Sequence, residues 1–183
     1  ELSRQQADAY QNMMQRRERG EPIAYITGKK AFWDFELKVN PQVLIPRPET
    51  ELLVETAIKF LEPNSSAALR LVDLGTGSGA IALALARHSK HWRVTAVDIS
   101  PQALALAAEN AQLLQVENIE FCEASWCDGL DARAYDLVAA NPPYVAVGDQ
   151  YLVKKGRRSH IVRYELFDDD GNPFETRRFV TGC

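Results

Sequence analysis

The spacing of apolar positions changes repeatedly along the chain, and each change marks an element. Residues 3–19 are polar and charged, with apolar positions at Ala7, Tyr10, Met13 and Met14. That spacing predicts an amphipathic helix, opened by Ser3 and closed by Gly20. From Phe32 to Val39 apolar and polar residues alternate, Asn40-Pro41 marks a turn, and Val43-Leu44-Ile45 returns. A β-hairpin at the edge of the main domain is expected there. A helix from about Glu49 to Leu61 follows, with Leu52, Leu53, Thr56, Ala57 and Phe60 along one side. Pro48 suits its first turn, and Glu49 and Glu51 complement its dipole. Pro63-Asn64-Ser65-Ser66 reads as a short connection.

Beyond it, strand and helix alternate. Strands are predicted at Leu69–Leu74, Arg93–Asp98, Ile119–Cys122 and Tyr135–Ala140, with helices at Gly79–Ser89 and from Ser100-Pro101 to about Leu114. Ser100 serves as the N-cap of the second helix and Pro101 as its first residue. Such alternation argues for an α/β fold, a doubly wound, mostly parallel sheet with helices on both faces. Right-handed crossovers place every strand's C-terminal end on one rim, where ligands bind near the switch point. Gly75, Asp98, the stretch after Phe121 and Asn141 all fall on that rim. There is no internal repeat and no low-complexity segment.

Composition adds limits. With 183 residues, 46% of them hydrophobic and 25% charged, the chain suits one domain or one and a part. No run reaches the roughly 20 apolar residues a membrane span requires. The opening Glu1-Leu2-Ser3-Arg4-Gln5 is neither a signal peptide nor an initiator start, so a fragment is expected. Cys122, Cys127 and Cys183 are odd in number and lack metal-type pairing, which suits reduced thiols in a cytoplasmic protein. Charge is uneven: residues 151–183 carry seven Lys/Arg against five Asp/Glu, leaving a net of −6 on the rest. A body that acidic disfavours a nucleic-acid partner, because phosphate binding draws on clustered cations.

The candidate chemistry lies on the rim. Gly75-Thr76-Gly77-Ser78-Gly79 follows a strand and opens a helix, the geometry that brings backbone N–H groups and a helix N-terminus to a ligand. Asp98 ends the next strand, 23 residues after Gly75. A carboxylate there can accept both ribose hydroxyls of an adenosine, the plainer reading being a helix-capping Asp. These two features do not separate a nicotinamide dinucleotide from S-adenosylmethionine. Asn141-Pro142-Pro143-Tyr144 does. Pro142 and Pro143 hold the backbone rigid with its carbonyls available, Asn141 adds a side-chain carbonyl, and Tyr144 offers an aromatic face. Two acceptors can hold both hydrogens of a planar NH₂ group and fix its nitrogen against an electrophile. The plainer reading here is a proline-rich turn ending a strand.

Together, Leu74-Gly75-Thr76-Gly77-Ser78-Gly79-Ala80-Ile81, Asp98, Trp126, Asn141-Pro142-Pro143-Tyr144 and Pro46-Arg47-Pro48-Glu49-Thr50 resemble the glutamine methyltransferases that modify peptide chain release factors. The resemblance runs from about Glu21 to Tyr144, roughly two-thirds of the chain. It implies a Rossmann-like class I S-adenosylmethionine-dependent methyltransferase with an N-terminal helix and β-hairpin. By resemblance, Gly75, Thr76, Gly77, Ser78 and Gly79 surround the methionine and ribose portion of the cofactor, and Asp98 holds the ribose. Trp126, by itself a core aromatic, would lie beside the adenine. Asn141 would touch both cofactor and substrate. Asn141, Pro142, Pro143 and Tyr144 would hold the glutamine amide of a Gly-Gly-Gln loop, with Asn141, Pro142 and Tyr144 catalytic. Arg47 and Glu49 would line the site. A release factor is the implied partner, and no metal is required.

The chain then divides into residues 1–20, the last helix of an N-terminal helical domain, and 21–62, the hairpin and linking helix. Residues 63–150 form the cofactor-binding core, and 151–183 a divergent or truncated tail. In that tail His160–Phe167 and Phe174–Val180 can pair as strands, and Lys154-Lys155-Gly156-Arg157-Arg158 reads as a solvated basic loop. Were later strands missing, the strand before Asn141 would be an exposed edge. Two rival functions remain: methylation of adenine N6 in DNA or RNA, and a cofactor-binding module without turnover. A nicotinamide oxidoreductase is disfavoured, since nothing in Asn141–Tyr144 suits hydride transfer.

Overall fold

A computed structural model describes residues 3–64, 66–130, 135–141, 159–167 and 173–182. The first helix, α1 (Arg4–Glu18), begins at a capping box: the Ser3 hydroxyl accepts from Gln6 N and the Gln6 side chain accepts from Ser3 N. None of its residues is buried, and Tyr10, Met13 and Met14 are exposed. Its last turn is tied to a short helix, α2 (Ile23–Thr27), through Arg16, which pairs with Glu21 and donates to Tyr25 O at 3.2 Å. Gly28, at φ 72°, ends α2 in the left-handed conformation.

The hairpin is present, with a different boundary from the expected one. Its strands are β1 (Lys29–Phe32) and β2 (Phe35–Lys38), antiparallel, with Phe32 opposite Phe35. The turn is Trp33-Asp34, inside the stretch expected to be one strand, and Val43-Leu44-Ile45 forms no strand. Alternation survives the turn because a two-residue link keeps Phe32, Leu37 and Val39 on the buried side. Nothing in Trp33-Asp34 resembles the usual Asn-Gly turn, and Trp33 sits at φ 54°. Tertiary contacts hold it there. Glu51 Oε1 accepts from Trp33 N at 3.1 Å, and Arg87 pairs with Asp34 at 3.1 Å while lying over the Phe35 ring. Val43 is buried at a turn instead, its carbonyl accepting from Tyr25 Oη at 2.7 Å.

Helix α3 (Pro48–Leu61) starts at Arg47, with Pro48 in its first turn, and buries Thr50, Leu53, Val54, Ala57 and Leu61. The central sheet contains β3 (Arg70–Leu74), β4 (Arg93–Asp98), β5 (Ile119–Glu123) and β6 (Leu137–Ala140). All its pairings are parallel, in the order β5-β4-β3-β6. Helix α4 (Ala80–His88) connects β3 to β4, and α5 (Pro101–Leu113) connects β4 to β5. The chain winds outward from β3 to β5 and then returns to the other side of β3. The switch point therefore falls between β3 and β6.

Alternation along the strands divides the core. Leu71, Val94 and Ala96 join α3, α4 and the hairpin residues Phe32 and Leu37 in the larger cluster. Val72, Leu74 and Val97 face the opposite side with Cys122, Leu130 and Tyr135. Helix α4 is buried from Ala80 to Ala86, so it reads apolar all round. Burying each of Leu83 and Leu85 contributes about 1.5–3 kcal/mol. Asn110 joins the hairpin to the sheet's rim. Its Oδ1 accepts from Lys38 N at 2.8 Å, while Nδ2 donates to Lys38 O at 3.0 Å and Ser78 O at 2.9 Å. In the tail, β7 (Ser159–Phe167) and β8 (Pro173–Gly182) pair antiparallel, irregular at Leu166/Phe167; the turn expected at 168–172 lies outside the described residues.

Candidate active site

The turn after β3 is built from three left-handed glycines, Gly75 at φ 73°, Gly77 at 56° and Gly79 at 85°. Two of them face open space: a Cβ at Gly75 or Gly77 would meet nothing within 4 Å. Gly79 is different, because a Cβ there would lie 3.0 Å from Leu83 Cδ1 and 3.2 Å from Ala107 Cβ. The first two glycines leave a cradle, and the third allows α4 and α5 to pack closely. Thr76 and Ser78 turn their side chains inward and are buried.

Hydrogen bonds fasten the turn to β4. Val97 O accepts from both Gly75 N and Thr76 N at 2.8 Å. Asp98 Oδ2 accepts from Gly77 N at 2.9 Å, and its Oδ1 accepts from Ser100 N at 3.0 Å. Asp98 thus braces both the glycine turn and the start of α5, where Ser100 caps Ala103 N at 3.2 Å. Each carboxylate oxygen has two lone pairs, so one bond to each leaves acceptor capacity for a diol.

Behind the turn lies a group that the motifs do not include. Asp73 is fully buried within β3; its Oδ2 accepts from Thr76 Oγ1 at 2.7 Å and Ala82 N at 3.2 Å, and its Oδ1 has no partner. Its one signal in the sequence is a carboxylate inside an otherwise apolar strand. Burial pushes its pKa up to about 6; the bonds from Thr76 and Ala82 oppose the rise, and Asp98 adds to it. The folded state therefore binds this proton more tightly than the unfolded chain, so stability falls as pH rises through the window from about 4 to about 6. The full penalty, on the order of 3 kcal/mol, is present at neutral pH and gone below the unfolded value. Asp73→Asn should gain on the parent in urea unfolding as pH goes from 5 to 7.5. A pH-independent difference would contradict this.

Across the switch point stands Asn141. Ala140 pairs with Leu74, so Asn141 and Gly75 each follow the end of one of two adjacent parallel strands. Asn141 Nδ2 donates to Thr50 Oγ1 at 2.8 Å, linking β6 to the first turn of α3. In the sequence Thr50 is only the last residue of a motif; its buried hydroxyl gives Pro46–Thr50 a physical connection to the site. Pro142, Pro143 and Tyr144 lie outside the described residues. Trp126 is 59% exposed, so it is no core aromatic, and its φ of 53° is unusual for a bulky residue. It stands in the turn after β5, on the same rim.

The strand order and the glycine turn at the switch point define a Rossmann-like class I methyltransferase fold. The chain belongs to the methyltransferase small domain family, whose profile matches residues 49–157, and residues 1–28 match the PrmC N-terminal domain. It is 47% identical over 152 residues to the release factor glutamine methyltransferase of Coxiella burnetii, covering 83% of this chain and 54% of that one. It is 46% identical over 141 residues to that of Salmonella typhimurium, covering 77% and 50%. The chain thus spans about half the length of the curated relatives it matches. Among solved structures, the T. thermophilus 16S rRNA N2 G1207 methyltransferase in complex with AdoMet and guanosine superposes with a TM-score of 0.54. At 22% identity over 66% of this chain and 33% of that one, it supports the fold alone.

Proposed function

We propose that this chain uses S-adenosylmethionine to methylate the side-chain amide nitrogen of a protein glutamine, that of the Gly-Gly-Gln motif in peptide chain release factors. The observation that supports the reading is that Asn141 follows β6, the strand paired with the one that leads into the glycine turn, with its carboxamide tied to Thr50. The donor set suits the cofactor: a cradle open above Gly75 and Gly77, a diol acceptor in Asp98, and an unpartnered carboxylate oxygen on Asp73 fit for a cation. Trp126 supplies an exposed aromatic face for the adenine. When bound, S-adenosylmethionine supplies a methyl carbon made electrophilic by its sulfonium.

What the protein must prepare is the other reactant. An amide nitrogen is a weak nucleophile because its lone pair is delocalised, the same delocalisation that gives a rotation barrier of about 18–20 kcal/mol. By the resemblance of the motif, Asn141 and the carbonyls of Pro142 and Pro143 would accept the two N–H hydrogens, and Tyr144 would cover the amide plane. Held this way, the nitrogen is oriented and its hydrogen bonds persist as it pyramidalises. The proton leaves to solvent. The partner is therefore a protein, and the setting that of translation in the cytoplasm.

Incubation with methyl-labelled cofactor and, separately, a release factor and duplex DNA tests the reading. Label is expected on the Gly-Gly-Gln glutamine. Label in the DNA alone would transfer the assignment to adenine. Cofactor binding with no label in either would reduce the chain to a binding module.

A further inference from the structure

The buried stripe of α5 carries a polar side chain. Ala103, Leu106, Ala107 and Ala111 are apolar there; Asn110 is not, and it is 1% exposed. Asparagine is a poor helix former, and burying its carboxamide is costly unless the polar atoms find partners. Here they do. Oδ1 accepts from Lys38 N at 2.8 Å, and Nδ2 donates to Lys38 O at 3.0 Å and to Ser78 O at 2.9 Å. These partners fix the orientation of the amide, because a backbone N–H can only donate and a backbone carbonyl can only accept. Rotated by a half turn, the carboxamide would set like against like at every one of these contacts. Val39 N bonds across the hairpin to Gly28 O, so Lys38, the neighbouring residue, turns its backbone groups to the hairpin's outer edge. Asn110 covers that edge as a neighbouring strand would.

The remaining N–H reaches the glycine turn. In a continuing helix Ser78 O would accept from Ala82 N, but Ala82 N donates to Asp73 Oδ2 at 3.2 Å. Ser78 O takes its hydrogen bond from Asn110 instead. The peptide joining Ser78 to Gly79 is planar, so its two ends move together. Asn110 holds the carbonyl end, and the other end, Gly79 N, donates to Thr76 O at 2.8 Å. That peptide follows Gly77, whose own N–H is bonded to Asp98. We infer that Asn110 is a positioning residue for the cofactor cradle: seated on the backbone of Lys38, it holds the Ser78 carbonyl and so keeps the turn in the shape that receives S-adenosylmethionine. It is too deeply buried to face a ligand itself. The inference rests on the reading that the glycine turn holds the cofactor, and on the Asn110 bonds for its mechanism.

The test pairs Asn110→Ala, which removes the carboxamide, with Phe32→Leu, which loosens the buried turn end of the hairpin and leaves the Asn110 bonds in place. Both should lower Tm. Asn110→Ala should also raise the Kd for S-adenosylmethionine by roughly 10- to 30-fold in calorimetry well below Tm, while Phe32→Leu stays within about twofold of the parent. A merely structural Asn110 predicts an unchanged Kd in both folded chains. Without ligand, the Gly79 N–H should exchange with deuterium several-fold faster in Asn110→Ala and at the parent's rate in Phe32→Leu. Unchanged Gly79 exchange in Asn110→Ala, or a Kd equal to the parent's, overturns the inference. Should Asn110→Ala fail to fold, the parent decides alone. Its Asn110 NH₂ protons, identified by their proximity to the Lys38 N–H, should exchange slowly with water and shift when the cofactor is added. Fast exchange, or resonances that stay put on saturation, overturns the inference as well. A parent that binds no S-adenosylmethionine overturns the reading of the turn instead, while ligand-free exchange at Gly79 and at the Asn110 NH₂ still decides whether Asn110 holds it.

Discussion

Asn141→Ala is expected to lower methyl transfer to a Gly-Gly-Gln peptide on the order of 10²- to 10³-fold, the usual effect of removing one preorganised group that acts on the transition state. Cofactor affinity should change by less than about tenfold, or roughly 1.4 kcal/mol, because the glycine cradle, Asp73 and Asp98 remain. The asymmetry follows from position. Asn141 leaves the sheet on β6, whereas the cradle and both carboxylates belong to β3 and β4 and are bonded among themselves. Calorimetry with the cofactor and steady-state rates on the same preparation separate the two effects. Equal losses in binding and turnover would make Asn141 a cofactor residue, and unchanged turnover would remove it from the chemistry.

Gly77→Ala and Gly79→Ala should fail in different ways although they lie two positions apart. Each forces a Cβ into the left-handed region, which costs about 1–2 kcal/mol. At Gly77 that Cβ meets only open space, so the variant should fold with a slightly lower Tm and lose at least about tenfold in cofactor affinity. At Gly79 the Cβ must displace Leu83 and Ala107, which adds roughly 1–3 kcal/mol of overpacking. The sum is a large fraction of the 5–15 kcal/mol that typically holds a domain folded. Thermal melts with and without S-adenosylmethionine read both effects. A Gly77→Ala chain still stabilised by the cofactor like its parent would show that the ligand does not occupy the cradle.

Much of this was present in local chemistry. The helix from Arg4 begins where a Ser-x-x-Gln box demands, β4 runs from Arg93 to Asp98 as its apolar run requires, and α5 starts at the Ser100-Pro101 signal. Each depends on neighbours a few residues apart. The hairpin turn at Trp33-Asp34 does not, and the alternation of its flanks conceals it. Glu51 and Arg87, which hold that turn, are distant in sequence. Trp126 shows the same limit: hydrophobicity suggests a core position, while the turn after β5 leaves its ring exposed.

By itself the sequence determined most of the elements outside the hairpin, the parallel sheet and the rim that bears the glycine turn, Asp98 and Asn141, because periodicity, caps and glycines act over a few bonds. Tertiary structure alone decided which of those groups meet. The strand order placed the strand before Asn141 next to the one before Gly75, burial left Asp73 short of a partner behind the turn, and α3 brought the Thr50 hydroxyl to the Asn141 amide. Hydrogen bonds between residues tens of positions apart depend on how elements pack, and no local pattern encodes that packing.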